Sequence, residues 1–273
     1  MALYTVESLS LSKIGDLLRE QLGEEATSYT FPEDFEKAVV DIGFKGLVLN
    51  GDSAPYDLVV IGDAIIGRNT SISMFLTLKT VRMIGTRNIG AAAFGSASVQ
   101  KIIFPTNNVH IGDGTFSAMT SDVEMENTEY VKSCGNNSFR QAYSIKNVTF
   151  ENMTTFGSYM FYQCTGLENV SLPSVTITGS LWNQMFYQDT SLKTVTLGKV
   201  GNTISGITNN TFGGCTQTGL TITIYTNATY VDTLRTNIRN GATKATIIIK
   251  ASEETTYNGT TYQAGDTILT STP

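Results

Sequence analysis

Six phenylalanines return at nearly constant intervals: Phe94, Phe116, Phe139, Phe161, Phe186 and Phe212, spaced by 22, 23, 22, 25 and 26 residues. Two of them open almost identical stretches, FYQCTGLENVSL from Phe161 and FYQDTSLKTVTL from Phe186. A period of this length is the mark of a repeat architecture, in which one unit cannot bury its own apolar face and must stack on its neighbours. Each Phe is followed by a short apolar strand signal: KIIFP at Lys101, VEME at Val123, VTF at Val148, VSLP at Val170, VTL at Val195 and LTITIY at Leu220. Phe75 with VRMIG at Val81 reads as a degenerate earlier copy, and LVL at Leu47 and LVVIG at Leu58 as two further strands.

In a V-x-L strand the two apolar residues point to one face and the residue between them to the other. Units of one strand and a polar turn, 20–29 residues long, make a leucine-rich-repeat pattern. The expected fold is a repeat solenoid, a leucine-rich-repeat-like array with a parallel β-sheet. The same alternation exposes Asn147, Thr149, Asn169, Ser171, Thr194, Thr196, Thr221 and Thr223 on the outer face. That gives a flat, neutral face of hydroxyls and amides, suited to hydrogen bonding with a glycan or protein. Tyr162, Trp182 and Tyr187 are aromatic residues the repeat does not require, and such side chains serve well as binding platforms. They complete the candidate ligand-binding set.

The ends differ from the middle. Leu11, Ile14, Leu18 and Leu22 follow a helical period that stops at Gly23. A second helix is expected over TFPEDFEKAVVDIG, where Thr30 and Glu33 have capping-box spacing and Phe35, Val39 and Ile42 form a stripe. At the other end, ATYVDTLRTNIRN from Ala228 predicts a short helix and ATIIIK a strand. TTYNGTTY predicts a hairpin closed by Asn258-Gly259. The expected organisation is a helical docking or oligomerisation segment over 1–44, a solenoid over 45–225 and an α/β cap over 226–273 that covers the last open edge.

Composition narrows the function. The net charge is −6 and charged residues make up 15% of the chain, so the basic footprint of a nucleic-acid binder is missing. No apolar run approaches the ~18 residues a membrane helix needs. The start has no basic segment followed by an apolar one, so no signal peptide is expected. Three cysteines without a CxxC pair do not make a disulfide framework, and a single histidine, His110, read as a turn residue, cannot build a His-rich metal site. The Asp-Gly stretches at Asn50 and Ile111 lack EF-hand spacing and are expected to be turns. No cofactor and no enzymatic activity are expected.

The pattern F-x-x-C-T-x-L-x-x-V-x-L-P resembles the BspA-type leucine-rich repeats. Phe161, Cys164, Leu167, Val170, Leu172 and Pro173 match it in one unit. Phe212, Cys215, Leu220 and Ile222 match it in another, and Phe186, Leu192, Val195 and Leu197 match it without the cysteine. The resemblance implies a surface-exposed recognition or adhesive solenoid, and a small, partly buried residue at Cys164 and Cys215. The opening resembles the N-terminal segments of phage and prophage virion proteins, with their I-x-x-x-I-R … FP-x-x-F-x-x-A-I pattern. Ile14, Leu18, Arg19, Phe31, Pro32, Phe35, Ala38 and Val39 stand in matching places. This resemblance implies a virion protein of tail, baseplate or fibre, made in the host cytoplasm. It would join other virion proteins, and its own copies as a homo-oligomer, through residues 1–44, and bind a host-surface glycan or protein through its repeats. The alternatives are a structural spacer subunit, a bacterial BspA-like adhesion protein and a glycan-cleaving enzyme on a repeat scaffold.

Overall fold

The structure is a computed structural model describing residues 46–50, 56–61, 77–176 and 182–273. The two predicted N-terminal helices and Phe75 lie outside the described residues.

The chain winds into a solenoid. Its main side carries β2 (Tyr56–Ile61), β3 (Thr77–Ile84), β5 (Ser98–Ile103) and β7 (Glu124–Glu126), all parallel. It continues with β9 (Asn147–Thr149), β11 (Asn169–Leu172), β12 (Thr194–Leu197), β13 (Thr221–Thr226) and β14 (Thr246–Ala251), again all parallel. Each V-x-L pair is buried as the alternation requires: Val148 and Phe150, Val170 and Leu172, Val195 and Leu197, Ile222 and Ile224. An antiparallel strand closes each end of the main side. β1 (Gly46–Asn50) pairs with β2, and β17 (Thr267–Ser271) pairs with β14. The C-terminal edge is thus covered by β17, a strand the sequence reading passes over.

A second, shorter parallel sheet forms another side of the coils, with β4 (Asn88–Ile89), β6 (Val109–Ile111), β8 (Val131–Cys134) and β10 (Thr155–Phe156). The expectation of one strand per unit therefore falls short for these four coils. His110 belongs to β6 rather than to a turn. It is exposed, and its Nδ1 lies 2.7 Å from Ser133 Oγ on the neighbouring coil.

The recurring phenylalanines form one stack through the core. Ring centroids from Phe94 through Phe116, Phe139, Phe161 and Phe186 to Phe212 are 5.5, 5.3, 5.6, 5.7 and 5.1 Å apart, and every ring is buried. Such pairs contribute about 0.5–1.5 kcal/mol each beyond their burial. The corner that carries them has a fixed backbone habit. The residue two after each Phe is left-handed: Ser96, Ala118, Gln141, Gln163, Gln188 and Gly214 all have φ between 54° and 81°. Coil-to-coil bonds hold this conformation, with the N–H of Gln141, Gln163 and Gln188 donating to the carbonyls of Tyr162, Tyr187 and Gly213 at 2.7–2.8 Å. Only the last of the six is glycine, so the others keep a conformation that L-residues adopt at a cost of about 1–2 kcal/mol.

The C-terminal predictions hold in outline. A 3₁₀ turn, Ala228–Tyr230, leads into α1 (Val231–Gly241), which buries Val231, Leu234 and Ile238. The strand ATIIIK is β14, which extends the parallel sheet. β15 (Thr255–Tyr257) and β16 (Thr260–Tyr262) form the hairpin, with Asn258 and Gly259 at φ 50° and 80° as its turn demands.

Candidate functional site

The main sheet puts the eight outward candidates in two straight rows. Asn147, Asn169, Thr194 and Thr221 are in register, as are Thr149, Ser171, Thr196 and Thr223. None is buried, while the residues between and after them are. The first row is knit together: Asn169 Nδ2 donates to Asn147 Oδ1 at 2.8 Å, and Thr194 Oγ1 donates to Asn169 Oδ1 at 2.7 Å. This fixes side chains that would otherwise sample several rotamers, and lowers the entropy lost when a ligand orders them.

The neutral face ends at a break. β9 pairs with β11 on one side, and β7 pairs with β5, but among the described residues no ladder joins β7 to β9. A cleft of about 550 Å³ opens there, lined by Asp122, Glu124, Met125 and Thr128 on one lip and Asn147 and Thr149 on the other. The cause is local. Where neighbouring coils place a second apolar residue in the core, this coil has Asn127, which is left-handed at φ 59° and donates through Nδ2 to the Phe104 carbonyl at 2.8 Å. Met125 stays only partly buried. The coils still meet at either end of the gap, through Ser144 Oγ to the Thr120 carbonyl, Lys146 to Asp122, and Asn152 Nδ2 to the Glu129 carbonyl. The second sheet crosses it unbroken, with β8 paired to β10. Beyond the break the face is charged: Lys101 bridges Glu124 and Glu126. The V-E-M-E-N run is the sequence signal for this change, a strand that offers Met and Asn where its neighbours offer two core residues.

The aromatic candidates do not join this face. Trp182 is a correction: it is fully buried, 4.7 Å edge-on from Phe156, and fills the core instead of meeting a ligand. Tyr162 and Tyr187 lie half-buried at the phenylalanine corner, stacked on each other at 5.3 Å. The Arg140 guanidinium sits 5.1 Å from the Tyr162 ring centre and continues this stack.

Beneath that corner the third residue after each Phe points inward. Cys164 and Cys215 occupy this place and are fully buried, more than the resemblance implied. Their thiols donate to the carbonyls of Phe139 and Phe186, each at 2.9 Å. Asp189 fills the same place between them. It is fully buried; Oδ1 accepts the Cys164 N–H at 2.7 Å, and Oδ2 has no partner among the described residues. Burial pushes the Asp189 carboxyl well above the usual carboxylate range, against the opposing pull of the Cys164 N–H. Burial, and then the neighbouring Asp189, likewise push the Cys164 thiol up. A carboxyl so enclosed reaches no substrate. Among the described residues no group of three or more His, Cys, Asp or Glu side chains is placed to hold a metal ion.

The geometry thus presents a long, regular polar surface on a repeating scaffold. The family model described as BspA type leucine rich repeat region matches residues 87–233 in six copies, more than half of the chain. No curated protein and no solved structure matches the chain. Six copies of one unit, stacked on a single phenylalanine column, make this chain a member of the BspA-type leucine-rich repeat family.

Proposed function

We propose that the chain is a binding protein of a phage-type virion, in the tail, baseplate or fibre, that engages a host-surface ligand through its main sheet face. The observation that carries the binding reading is the pair of in-register rows from Asn147 to Thr223, the first of them preordered from Asn147 to Thr194 by hydrogen bonds between coils. Single contacts on such a face are weak. Copies held together by residues 1–44 would multiply them through avidity. The virion reading rests on the likeness of that segment to phage virion proteins. The role is attachment rather than catalysis.

Two measurements test it. Mass spectrometry of purified phage particles from the producing strain is expected to find the chain; its absence from intact particles overturns the virion assignment. Ser171→Lys with Thr196→Lys in the full chain is expected to abolish attachment to host cells without loss of folding. Undiminished attachment overturns the sheet-face assignment. The six BspA-type copies also favour a second reading, a bacterial adhesion protein outside any virion. Finding the chain on bacterial cells free of phage particles would select it.

A further inference from the structure

The phenylalanine corner carries two partly exposed ladders beside its buried stack. One residue after the Phe come Arg140, Tyr162 and Tyr187. Two residues after it comes an amide ladder: Gln141 Nε2 donates to Gln163 Oε1 at 3.0 Å, and Gln163 Nε2 donates to Gln188 Oε1 at 2.6 Å. Both ladders end at the same coil, because Phe212 is followed by Gly213 and Gly214. Gly214 sits at φ +81°, and a Cβ there would lie 3.0 Å from Gln188 Cγ. Bare backbone therefore leaves a notch beyond Gln188, whose Nε2, the last donor of the ladder, has no acceptor among the described residues.

This notch is one end of a groove of about 420 Å³ that runs across the coils. Gln163 and Gln188 form one wall, and Thr165, Thr190 and Thr216, each four residues after a Phe, form the other. Tyr143, in the same fourth position one coil earlier and 46% exposed, closes the far end. No lining side chain is charged. The backbone N–H groups of Gln163 and Gln188 are already taken up by the next coil's carbonyls, so the groove offers no free edge to an extended peptide. It offers hydroxyls and amides that recur with the coils, whose rings repeat at 5.7 Å and 5.1 Å here. That step is close to the length one pyranose adds to an extended chain.

We infer that this groove binds a neutral glycan chain lying along the solenoid. One sugar ring packs against Tyr143. Hydroxyls of the following rings bond to Thr165, Thr190 and Thr216, and the last reaches Gln188 Nε2 over Gly214. The inference rests on reading the chain as a binding protein, and places the sugar on a different side of the coil from the Asn147–Thr223 rows.

The test is titration of the full chain, followed by NMR of side-chain amides and by calorimetry. The probes are hexasaccharides of β-1,4-glucose, α-1,4-glucose, β-1,4-mannose and β-1,4-N-acetylglucosamine. At least one is expected to bind and to shift the Gln188 side-chain amide. Tyr143→Ala and Gly214→Asn, the latter a residue that tolerates the left-handed region, are each expected to weaken it about tenfold or more. Ser171→Lys with Thr196→Lys is expected to leave it unchanged. If no probe binds, the groove assignment fails, and attachment through the sheet face is judged separately by the cell assay above. If the lysine pair abolishes sugar binding while both corner variants retain it, the glycan site moves to the sheet and the groove is overturned.

Discussion

The backbone N–H of Cys164 donates to Oδ1 of Asp189 across 2.7 Å, linking residues that hold the same repeat position in successive coils. Among the described residues the buried acid faces the thiols of Cys164 and Cys215, whose own values are also raised, first by burial and then by Asp189, and no charged side chain. The folded chain therefore holds a proton that the unfolded chain releases above about pH 4. This site's own contribution to stability is greatest below that pH. As pH rises from there toward the raised folded value, this site takes away about 1.4 kcal/mol per pH unit. Urea midpoints measured upward from about pH 4 should fall more steeply in the parent than in Asp189→Asn. Parallel curves for the two would show that the acid is not protonated in the fold.

Replacing Asp189 by Cys should stabilise the chain by at least about 1–3 kcal/mol, the cost of a buried polar atom without a partner among the described residues, and by more as pH rises above about 4. The new thiol would stand as Cys164 and Cys215 do, facing the carbonyl of the preceding coil's Phe. Cys164→Ser should hold within about 1 kcal/mol, because a hydroxyl donates to the same Phe139 carbonyl. All three cysteines are buried and free, so a thiol reagent should label none until the chain unfolds. Calorimetric melting and labelling kinetics check both.

Phe139 touches Phe116, Phe150 and Phe161, whereas among the described residues Phe94 stacks on Phe116 alone. Phe139→Ala should cost about 3–5 kcal/mol, and Phe94→Ala less. Equal losses from denaturant curves would mean the stack is not shared between neighbours.

Ala118 is left-handed at φ 54° in a corner where Gly214 needs no strain to sit. Ala118→Gly should be neutral to stabilising by about 1 kcal/mol, and Ala118→Val destabilising, the reverse of the order expected in a strand. Thermal midpoints decide it.

In a parallel ladder alternate residues bond to opposite neighbours. Val148 serves β11, so Asn147 and Thr149 turn their N–H groups to the break. Their amides should exchange with deuterium well before those of Asn169 and Thr194, which donate to the carbonyls of Lys146 and Glu168.

The phenylalanine column and the main strands were legible because the spacing of Phe94 to Phe212 and the V-x-L triplets state a period and a face. The hairpin was legible because Asn258-Gly259 suits only a tight turn. The second sheet was not, since strands such as Asn88–Ile89 and Thr155–Phe156 are too short to alternate. The left-handed corners were hidden because Ser, Ala and Gln carry no local preference for them; bonds between coils impose the conformation. Trp182 lay outside the repeat pattern, yet it fills core beside Phe156. The eight sheet residues followed from alternation alone. The cleft at Met125 did not, because it arises from a pairing that fails to form.

That failed pairing has a mechanical consequence. At the β7–β9 gap the coils are held by the Phe116–Phe139 contact, the corner backbone bonds from Gly114, Phe116 and Ala118 to the carbonyls of Asn136, Ser138 and Arg140, the short second sheet and a few rim bonds, without the main ladder that ties other coils together. Stretched along its length, the solenoid is expected to yield first at this gap. The coils through Glu126 part there from those after Asn147, while each block keeps its own hydrogen-bonded sheet.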